Sequence, residues 1–581
     1  MRKHRRGSIY IMTLGTALIV GMLAAAGLLA VRAQRRHVDL TQDMLQARLN
    51  AQTGVEMALF RFETTPDWRA QLATDAWNTD ATTGYGTYRF AGIDPEDGDL
   101  LDGEFDPVLL TATGGSRSAV QKIEVKLKVR HPGLNCLKTV IHSKGDLVFD
   151  SSTVTGNRAV SSDGKLTADN GSQIYVDAEA KGTINASGGS VFHADTTNEG
   201  DWPREMPAAP FAYCLANGTP IDASDLPLCD AQLLTNVAMA DATNDWSEFG
   251  NCTLTLNTDQ SQTQWCILVD GRSGPMDGPS QDITNSIQSG ETYAVTADAK
   301  AVSGSMNMRL SLQTVSTGGG TQFFSGPWVT VDSSTFATVA GSLTPTWTGS
   351  LIEAKWFLES EARSLAFKFD DAGLRVANAP AGTLAIHRTV LSPNSNPFGA
   401  GTTNPQGIYV VDCLGSPISI KDCRIVGTLV ILGNDKTDSI LHGSINLAPA
   451  IESQDPSDTN LPILLLDKDF CLSTSDTDLD EGLANLNCNP TGTPYEGSDD
   501  SDKEDTYPSL LNGLVYAKGN LSVTSSLRLH GVMVIGGKTT FTGATVNATY
   551  NPIYYWDNAP PDFQTDPVIE LVPGTFRQKV D

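Results

Sequence analysis

The chain has 581 residues, 40% apolar and 18% charged, with a formal net charge of −27. That length is too great for a single core, so about two to four domains are expected. An acidic body repels phosphate backbones, which argues against nucleic-acid binding.

The charge is unevenly spread, because the first 36 residues carry seven Lys/Arg and no Asp/Glu. The basic stretch MRKHRRG precedes an uncharged, apolar run at residues 7–31. At 1.5 Å per residue this run spans a bilayer core of about 30 Å. The positive-inside rule then predicts a single-pass membrane protein, N-terminus cytoplasmic and bulk extracytoplasmic. A cleaved secretory signal is the alternative, disfavoured by the length of the apolar run. Leu40, Met44, Ala47, Ala51, Val55, Ala58 and Leu59 follow near a 3.6-residue period, so one helix is expected to continue to about Phe62. The basic leader ending at Gly7, the apolar helix and AQTGVEMAL, with Gln52, Gly54 and Glu56, resemble the N-terminal region of type IV pilin-like proteins of the PilX-like class. The resemblance implies cleavage after Gly7 and a pilus or secretion-type assembly as partner. It also implies a Glu at the fifth mature position, where this chain has Met12.

Residues 63–131 read as a small α+β or β segment, ending in a run that alternates through Ile123, Val125, Leu127 and Val129. The stretch DPEDGDLLDGE, with Asp94, Asp97, Asp99 and Asp102, is an acidic turn or, alternatively, a calcium loop. From residue 132 the pattern changes to short apolar strokes separated by Gly/Ser/Asn/Asp turns, and the same texture returns over 378–560. Recurrent short strands at small spacing predict a parallel β-helix-like solenoid in two segments, 132–230 and 378–560, before a tail at 561–581. An acidic insertion at 472–506 contains Asp476, Asp478 and Asp480. Gly482 comes one place late and Asn487 stands where an EF-hand needs Glu, so a solvated, partly disordered loop is expected. The nine cysteines show no CxxC spacing, which argues against structural zinc. In an extracytoplasmic body, disulfides Cys214–Cys229, Cys252–Cys266, Cys413–Cys423 and Cys471–Cys488 are the pairings expected, with Cys136 free.

Residues 231–377 differ in character. They hold five of the nine Trp, at 246, 265, 328, 347 and 356, and longer alternating strands such as MNMRLSLQTV and SLAFKFDDAGLRV, the composition of a β-sandwich. LLTNVAMADATNDWSEFG, CILVDGRSGPMDGPSQDITNSIQSGETYAVTADAKA and WFLESEARSLAFKFDDAGLRV, in that order, resemble the signatures of carbohydrate-binding modules of the CenC type (families 4, 9 and 22). The resemblance implies a jelly-roll sandwich whose ligand lies across one sheet. By motif it implies contacts from Arg272, Tyr293, Phe357 and Glu359, with Phe323, Phe324 and Trp328 in a neighbouring loop region. Sugar C–H faces stack on aromatic rings and hydroxyls take fixed polar partners, which suits that set. Tyr293, Trp246 and Trp356 are equally read as packing residues. The resemblance also implies a structural Ca2+ held by Asp241, Asp370 and Asp371. Met276 stands where the family-22 pattern has a stacking Trp, and Met239-Ala240 where Phe-Glu is usual.

The expected architecture is therefore mainly β: an N-terminal transmembrane helix and a β-helix-like solenoid interrupted by an inserted jelly-roll sandwich. The solenoid segments show scattered Asp without repeated pairing, and the chain has no GxSxG or HExxH. A non-catalytic cell-envelope protein that binds a polysaccharide or cell-surface glycan is the function expected. The alternatives are a structural pilin-like component with the sandwich as spacer, and a β-helix hydrolase or lyase.

Overall fold

A computed structural model describes residues 6–103, 106–198, 203–259, 264–435, 438–451, 460–554 and 559–579. Most of the basic leader, residues 1–5, lies outside them. The chain divides into two units, residues 1–132 with 565–581, and residues 133–564.

In the first unit one helix runs from Arg6 to Thr64. Its first half is apolar and uncovered: Ile11, Leu14, Leu23 and Leu29 are all well exposed, and it is long and apolar enough to cross a membrane. Its second half is amphipathic, and Ala51, Val55, Ala58 and Phe62 pack against Phe90, Leu110, Ala112 and Val125 of an antiparallel sheet. The helix comes so close to the strand Val108–Ser116 that a Cβ on Gly114 would stand 2.1 Å from the Ala47 carbonyl oxygen. Only glycine fits there. The sheet is completed from the other end of the chain, as Val568–Leu571 and Arg577–Lys579 pair with Ala119–Arg130. Arg577 and Lys579 close on the buried Glu124, and the hydrogen bonds to these two cations hold its carboxyl below the usual range against the cost of burial. The acidic turn at Asp94–Asp102 is organised by its own carboxylates, which accept from the backbone N–H groups of Glu96, Asp99 and Leu101.

The second unit contains a nearly closed sheet of 24 strands whose ladders are parallel. Short strands cannot bury their own apolar residues, and stacking in register supplies the core. Ile386, Ile420, Leu441, Leu472 and Val523 follow one another across five adjacent strands, and Phe149 stacks on Phe541 at 5.0 Å. The two segments join out of chain order. Ile141–Ser143 pairs with Met533–Ile535 of the second segment, while Thr219–Asp222 pairs with Ile408–Asp412 near the opposite end. The antiparallel segment thus leaves the sheet at one end, between Asp222 and Leu384, and does not split it in the middle.

That segment has eleven strands: β1 (Ser247–Phe249), β2 (Thr253–Asn257), β3 (Cys266–Asp270), β4 (Gly278–Asp282), β5 (Tyr293–Ala301), β6 (Ser305–Ser316), β7 (Gly320–Ser325), β8 (Val329–Asp332), β9 (Ala337–Leu343), β10 (Leu351–Ser360) and β11 (Phe367–Val376). One sheet has the order β1-β4-β10-β6-β7 with β8 also on β6, and the other β2-β3-β11-β5-β9. Met308, Leu310, Leu312, Trp356, Leu358, Phe367 and Phe369 fill the space between them, each from the inward side of an alternating strand.

Two expectations are corrected. All nine cysteines are free thiols, so none of the four expected disulfides exists. The members of these pairs serve different surroundings. Cys214 packs with Leu134, Leu137 and Ile408, whereas Cys229 faces the Leu384 carbonyl. Cys252 faces the Gly278 carbonyl, whereas Cys266 faces Asn257. Cys413 and Cys423 are separate members of the parallel-sheet core. Cys471 faces Thr524, and Cys488 belongs to a small cluster with Leu479, Ala484 and Tyr507. The acidic insertion is also ordered. Leu479–Asp480 pairs with Thr506–Tyr507, and the buried Glu481 accepts from Tyr507 Oη at 3.0 Å and from the backbone of Cys488 and Asp505. Arg424 donates to the carbonyls of Cys488, Thr493 and Pro494. Local partners take the Glu481 oxygens and both terminal nitrogens of Arg424, which lowers the cost of keeping these charges inside.

Candidate functional site

The outer face of the β1-β4-β10-β6-β7 sheet gathers chemistry that the inner face excludes. Along β6 the even positions Met308, Leu310 and Leu312 turn inward, so Asn307, Arg309, Ser311 and Gln313 turn outward. On β10 the same alternation sends Glu353, Lys355, Phe357 and Glu359 outward. The ladder puts Arg309 opposite Glu359, Ser311 opposite Phe357 and Gln313 opposite Lys355.

Glu359 is the pivot. Its residue is 3% exposed, and Oε1 accepts from Arg309 Nε at 2.7 Å and Ser311 Oγ at 2.6 Å. A buried carboxylate needs such partners. The Arg309 guanidinium lies over the Trp328 ring, 4.2 Å from its centroid, a cation–π contact that fixes both groups. Trp328 is 44% exposed and Phe323 47%, large figures for aromatics on an ordered sheet face. These four side chains form one patch, an uncovered aromatic surface beside a held charge pair. The surrounding acids Glu353 and Glu361 are themselves bonded, to Lys355 and Asn307. With Glu359 they outnumber Arg309 and Lys355, so the face suits an uncharged ligand better than an anion.

Phe357 sits in the middle of the face and is fully covered. Phe249 of β1 lies flat on it, with centroids 4.2 Å apart and planes 4° from parallel, and Phe323 meets its edge at 6.1 Å. The ladder partner of Phe249 is Gly278, where a Cβ would stand 2.1 Å from the Leu358 carbonyl oxygen.

The remaining residues expected at the site lie elsewhere. Arg272 is buried, and its guanidinium donates to the carbonyls of Asp277, Leu365, Gly274 and Pro275, so it ties down its own turn. Tyr293 is in β5 of the opposite sheet, 1% exposed. Its hydroxyl accepts from the Gln288 N–H, and burial raises its pKa to about 12. Phe324 points inward against the core. Trp246 is core as well, edge-on to Trp356 and Phe369, with Nε1 donating to the Asn236 carbonyl. Sequence reasoning did not single out Arg309, Ser311 or Phe249. The alternation of MNMRLSLQTV held the signal for the first two, because apolar residues at every second place leave the polar ones on the other face.

For the expected metal, Asp241 is exposed and its N–H donates to Asn236 Oδ1. Asp370 and Asp371 adjoin on β11 at a register shift against β5, and Asp371 has a φ of 47°. Burial, with Asp298 and Asp370 nearby, holds the Asp371 carboxyl above the usual range. The Ala372 N–H meets the Val237 carbonyl at 3.3 Å. The oxygen donors suit calcium in kind, yet among the described residues no three His, Cys, Asp or Glu side chains come together as a metal site.

Residues 231–359 match the family model described as a carbohydrate binding domain, CBM_4_9. Endo-1,4-beta-xylanase A of Thermoanaerobacterium saccharolyticum is 27% identical over 173 residues, 29% of this chain and 15% of that protein. Exoglucanase XynX of Acetivibrio thermocellus is 29% identical over 148 residues, 24% of this chain and 14% of that protein. The chain thus spans about a seventh of the length of these relatives. Among solved structures, the CBM22-1 xylan-binding domain of Paenibacillus barcinonensis Xyn10C is 18% identical, covers 26% of this chain and 99% of its own, and has a TM-score of 0.24. On the family-model match, residues 231–359 are similar to a carbohydrate-binding module.

Proposed function

We propose that the chain is a membrane-anchored cell-envelope protein whose sandwich binds an uncharged polysaccharide through the outer face of its β1-β4-β10-β6-β7 sheet. In this reading the module is a jelly roll carried on a parallel β-helix, and the apolar half of the N-terminal helix is the anchor. The observation that carries the proposal is the patch of Phe323, Trp328 and the Arg309–Glu359 pair within the segment that matches a carbohydrate binding domain. Stacking on exposed rings combined with a held hydrogen-bonding pair is how a pyranose is recognised. Xylan and β-1,4-glucan are the first ligands to test, because the relatives are a xylanase and an exoglucanase.

Affinity gel electrophoresis of the full-length chain through soluble xylan and hydroxyethyl cellulose, followed by a glycan array, tests this directly. Retardation that disappears in Trp328→Ala supports the assignment, whereas a folded protein retained by no glycan rejects it. A calcium ion near Asp370 and Asp371 is part of the same proposal, since a cation there offsets the burial and the Asp298 and Asp370 charges that together raise the Asp371 carboxyl. An unchanged melting temperature on adding EDTA and then CaCl2 rejects that part alone.

A structural pilin-like role is the second reading, and the uncovered apolar half of the helix favours it. That surface needs lipid or other helices around it. Filament formation by the wild type, lost on replacing residues of the apolar half, distinguishes it from simple anchoring.

A further inference from the structure

Where the sandwich meets the parallel sheet, a cavity of about 380 Å3 opens between the two walls. Its floor is the outer face of three adjacent parallel strands, Leu384–His387, Ile418–Val426 and Ile440–Ala448. The register places His387, Lys421 and His442 in one row across them. Ser419, two residues before Lys421, points to the same side. Its Oγ lies 2.8 Å from His387 Nε2 and 2.9 Å from His442 Nε2. We propose that Ser419 is the nucleophile of an ester-hydrolysing site in this cavity, with His387 and His442 as its hydrogen-bonding and proton-transfer partners.

The argument begins with the hydrogen count. A serine hydroxyl has one hydrogen, so between two imidazole nitrogens it donates to one and accepts from the other. One Nε2 is therefore an unprotonated base in contact with Oγ, and the other is an N–H donor at the same point. Burial and the neighbouring Lys421 charge keep both imidazoles neutral, which preserves this division of roles. Lys421 stands between the two histidines in the row and is ion-paired with Glu291 of the sandwich, so this charge pair lies in the same cavity. Cys229 is the competing nucleophile, with Sγ 3.9 Å from His387 Nε2. Burial pushes its thiol up to about 11, which leaves it protonated and unreactive.

In the reaction, Ser419 Oγ bonds to the ester carbonyl carbon while its proton passes to the unprotonated imidazole. The carbonyl oxygen becomes an oxyanion next to the other imidazole N–H. The bond to the alkoxy oxygen then breaks, and the departing alcohol takes the proton from the imidazolium. Water adds to the acyl carbon, passes its proton through the same imidazole to Oγ, and releases the carboxylic acid. Ester and water give acid and alcohol, with no other reactant. A cavity near the lower end of ligand-pocket sizes, about 300–1,000 Å3, fits a short O-acyl ester such as an acetylated sugar hydroxyl.

The site is separate from the aromatic face, so its test does not depend on glycan binding. The full-length chain is incubated with p-nitrophenyl acetate and, separately, with a serine-directed fluorophosphonate. The expected results are p-nitrophenol release about a hundredfold above Ser419→Ala, similar losses in His387→Gln and His442→Gln, and a fluorophosphonate adduct on the peptide carrying Ser419. Should Ser419→Ala fail to fold, labelling of the wild type decides alone. Release equal in wild type and Ser419→Ala, or labelling absent from Ser419, overturns the proposal.

Discussion

Replacing Phe249 by alanine separates stability from binding on the aromatic face. In the wild type this ring lies on Phe357 at 4.2 Å and 4°, the position that a pyranose would take on an uncovered Phe357. Its removal costs the ring pair about 0.5–1.5 kcal/mol beyond area burial. Phe249 is half-buried on a three-residue edge strand, so the further loss is well below the roughly 3–5 kcal/mol of a fully buried Phe→Ala change. The net destabilisation should be about 1–2 kcal/mol, a fall of a few degrees in melting temperature. The same change frees one face of Phe357 for a sugar. A regained stack of about 0.5–1.5 kcal/mol corresponds to roughly two- to twelvefold tighter binding. Isothermal titration with xylo- and cello-oligosaccharides of increasing length reads both the size of the gain and the chain length at which it begins. A folded Phe249→Ala protein that binds every oligosaccharide no better than wild type refutes the idea that Phe249 occupies a sugar position.

Other outcomes follow from the same geometry. Arg309→Ala leaves Glu359 buried without its main partner and should cost both stability and glycan affinity, by about 2–4 kcal/mol in stability, as read by thermal melts and titration. Glu359→Gln removes the charge at nearly constant shape and should keep more of the fold than of the affinity. The buried imidazoles of His142 and His387 are depressed from 6.5 to about 3, chiefly by desolvation. The unfolded chain therefore takes up protons that the native state refuses. Stability is full above about pH 6.5 and declines as pH falls toward 3, by about 1.4 kcal/mol per pH unit for each group. Urea melts between pH 7 and 4 should show that slope, and His387→Gln should lessen it. Finally, Ellman titration in denaturant without reductant should give nine thiols per chain. Fewer thiols, restored by reduction, would contradict the free-cysteine structure.

How far the sequence disclosed this molecule depended on whether the signal was local. The helix was legible because Ala51, Val55 and Ala58 recur at its period and meet the sheet. Leu40 and Met44 belong to the same sequence pattern but remain exposed, since periodicity says nothing about where a partner surface begins. The parallel sheet was legible as texture, but the join of Ile141–Ser143 to Met533–Ile535 was not. Neighbours separated by nearly four hundred residues leave no local trace. Among the expected site residues, Glu359 and Phe323 share a face because strand alternation places them there, whereas Trp328 lies in the link between β7 and β8 and joins them through its contact with Arg309. Arg272 illustrates the opposite case: a charged residue after a strand satisfied its donors on four nearby carbonyls, a solution that spacing does not distinguish from a ligand contact. The cysteines failed for a related reason. Short loop separation permits a bridge, but burial in separate clusters offers a thiol a cheaper place.

The attachment of the sandwich bears on how its face is used. The Trp347 indole donates to the Gly482 carbonyl at 2.9 Å, and the Ser289 N–H meets the Leu483 carbonyl at 3.0 Å. Arg388 donates to the carbonyls of Ser286 and Ile287, and Gln288 to Asp422. Asn485 reaches the Thr284 carbonyl, so the ordered acidic insertion holds the sandwich from a second side. A binding module on a flexible linker searches a volume and loses orientational freedom when it engages. Here that freedom is already removed by hydrogen bonds at several points, so the face carrying Trp328 keeps a fixed direction relative to the parallel sheet. Substituting Trp347 and Asn485 together should therefore leave the affinity for a soluble oligosaccharide unchanged while weakening retention on an immobilised polysaccharide of protein reconstituted at high density in vesicles, where the faces of many copies must engage at once. Equal loss in both measurements would mean that these contacts shape the site itself and do not merely aim it.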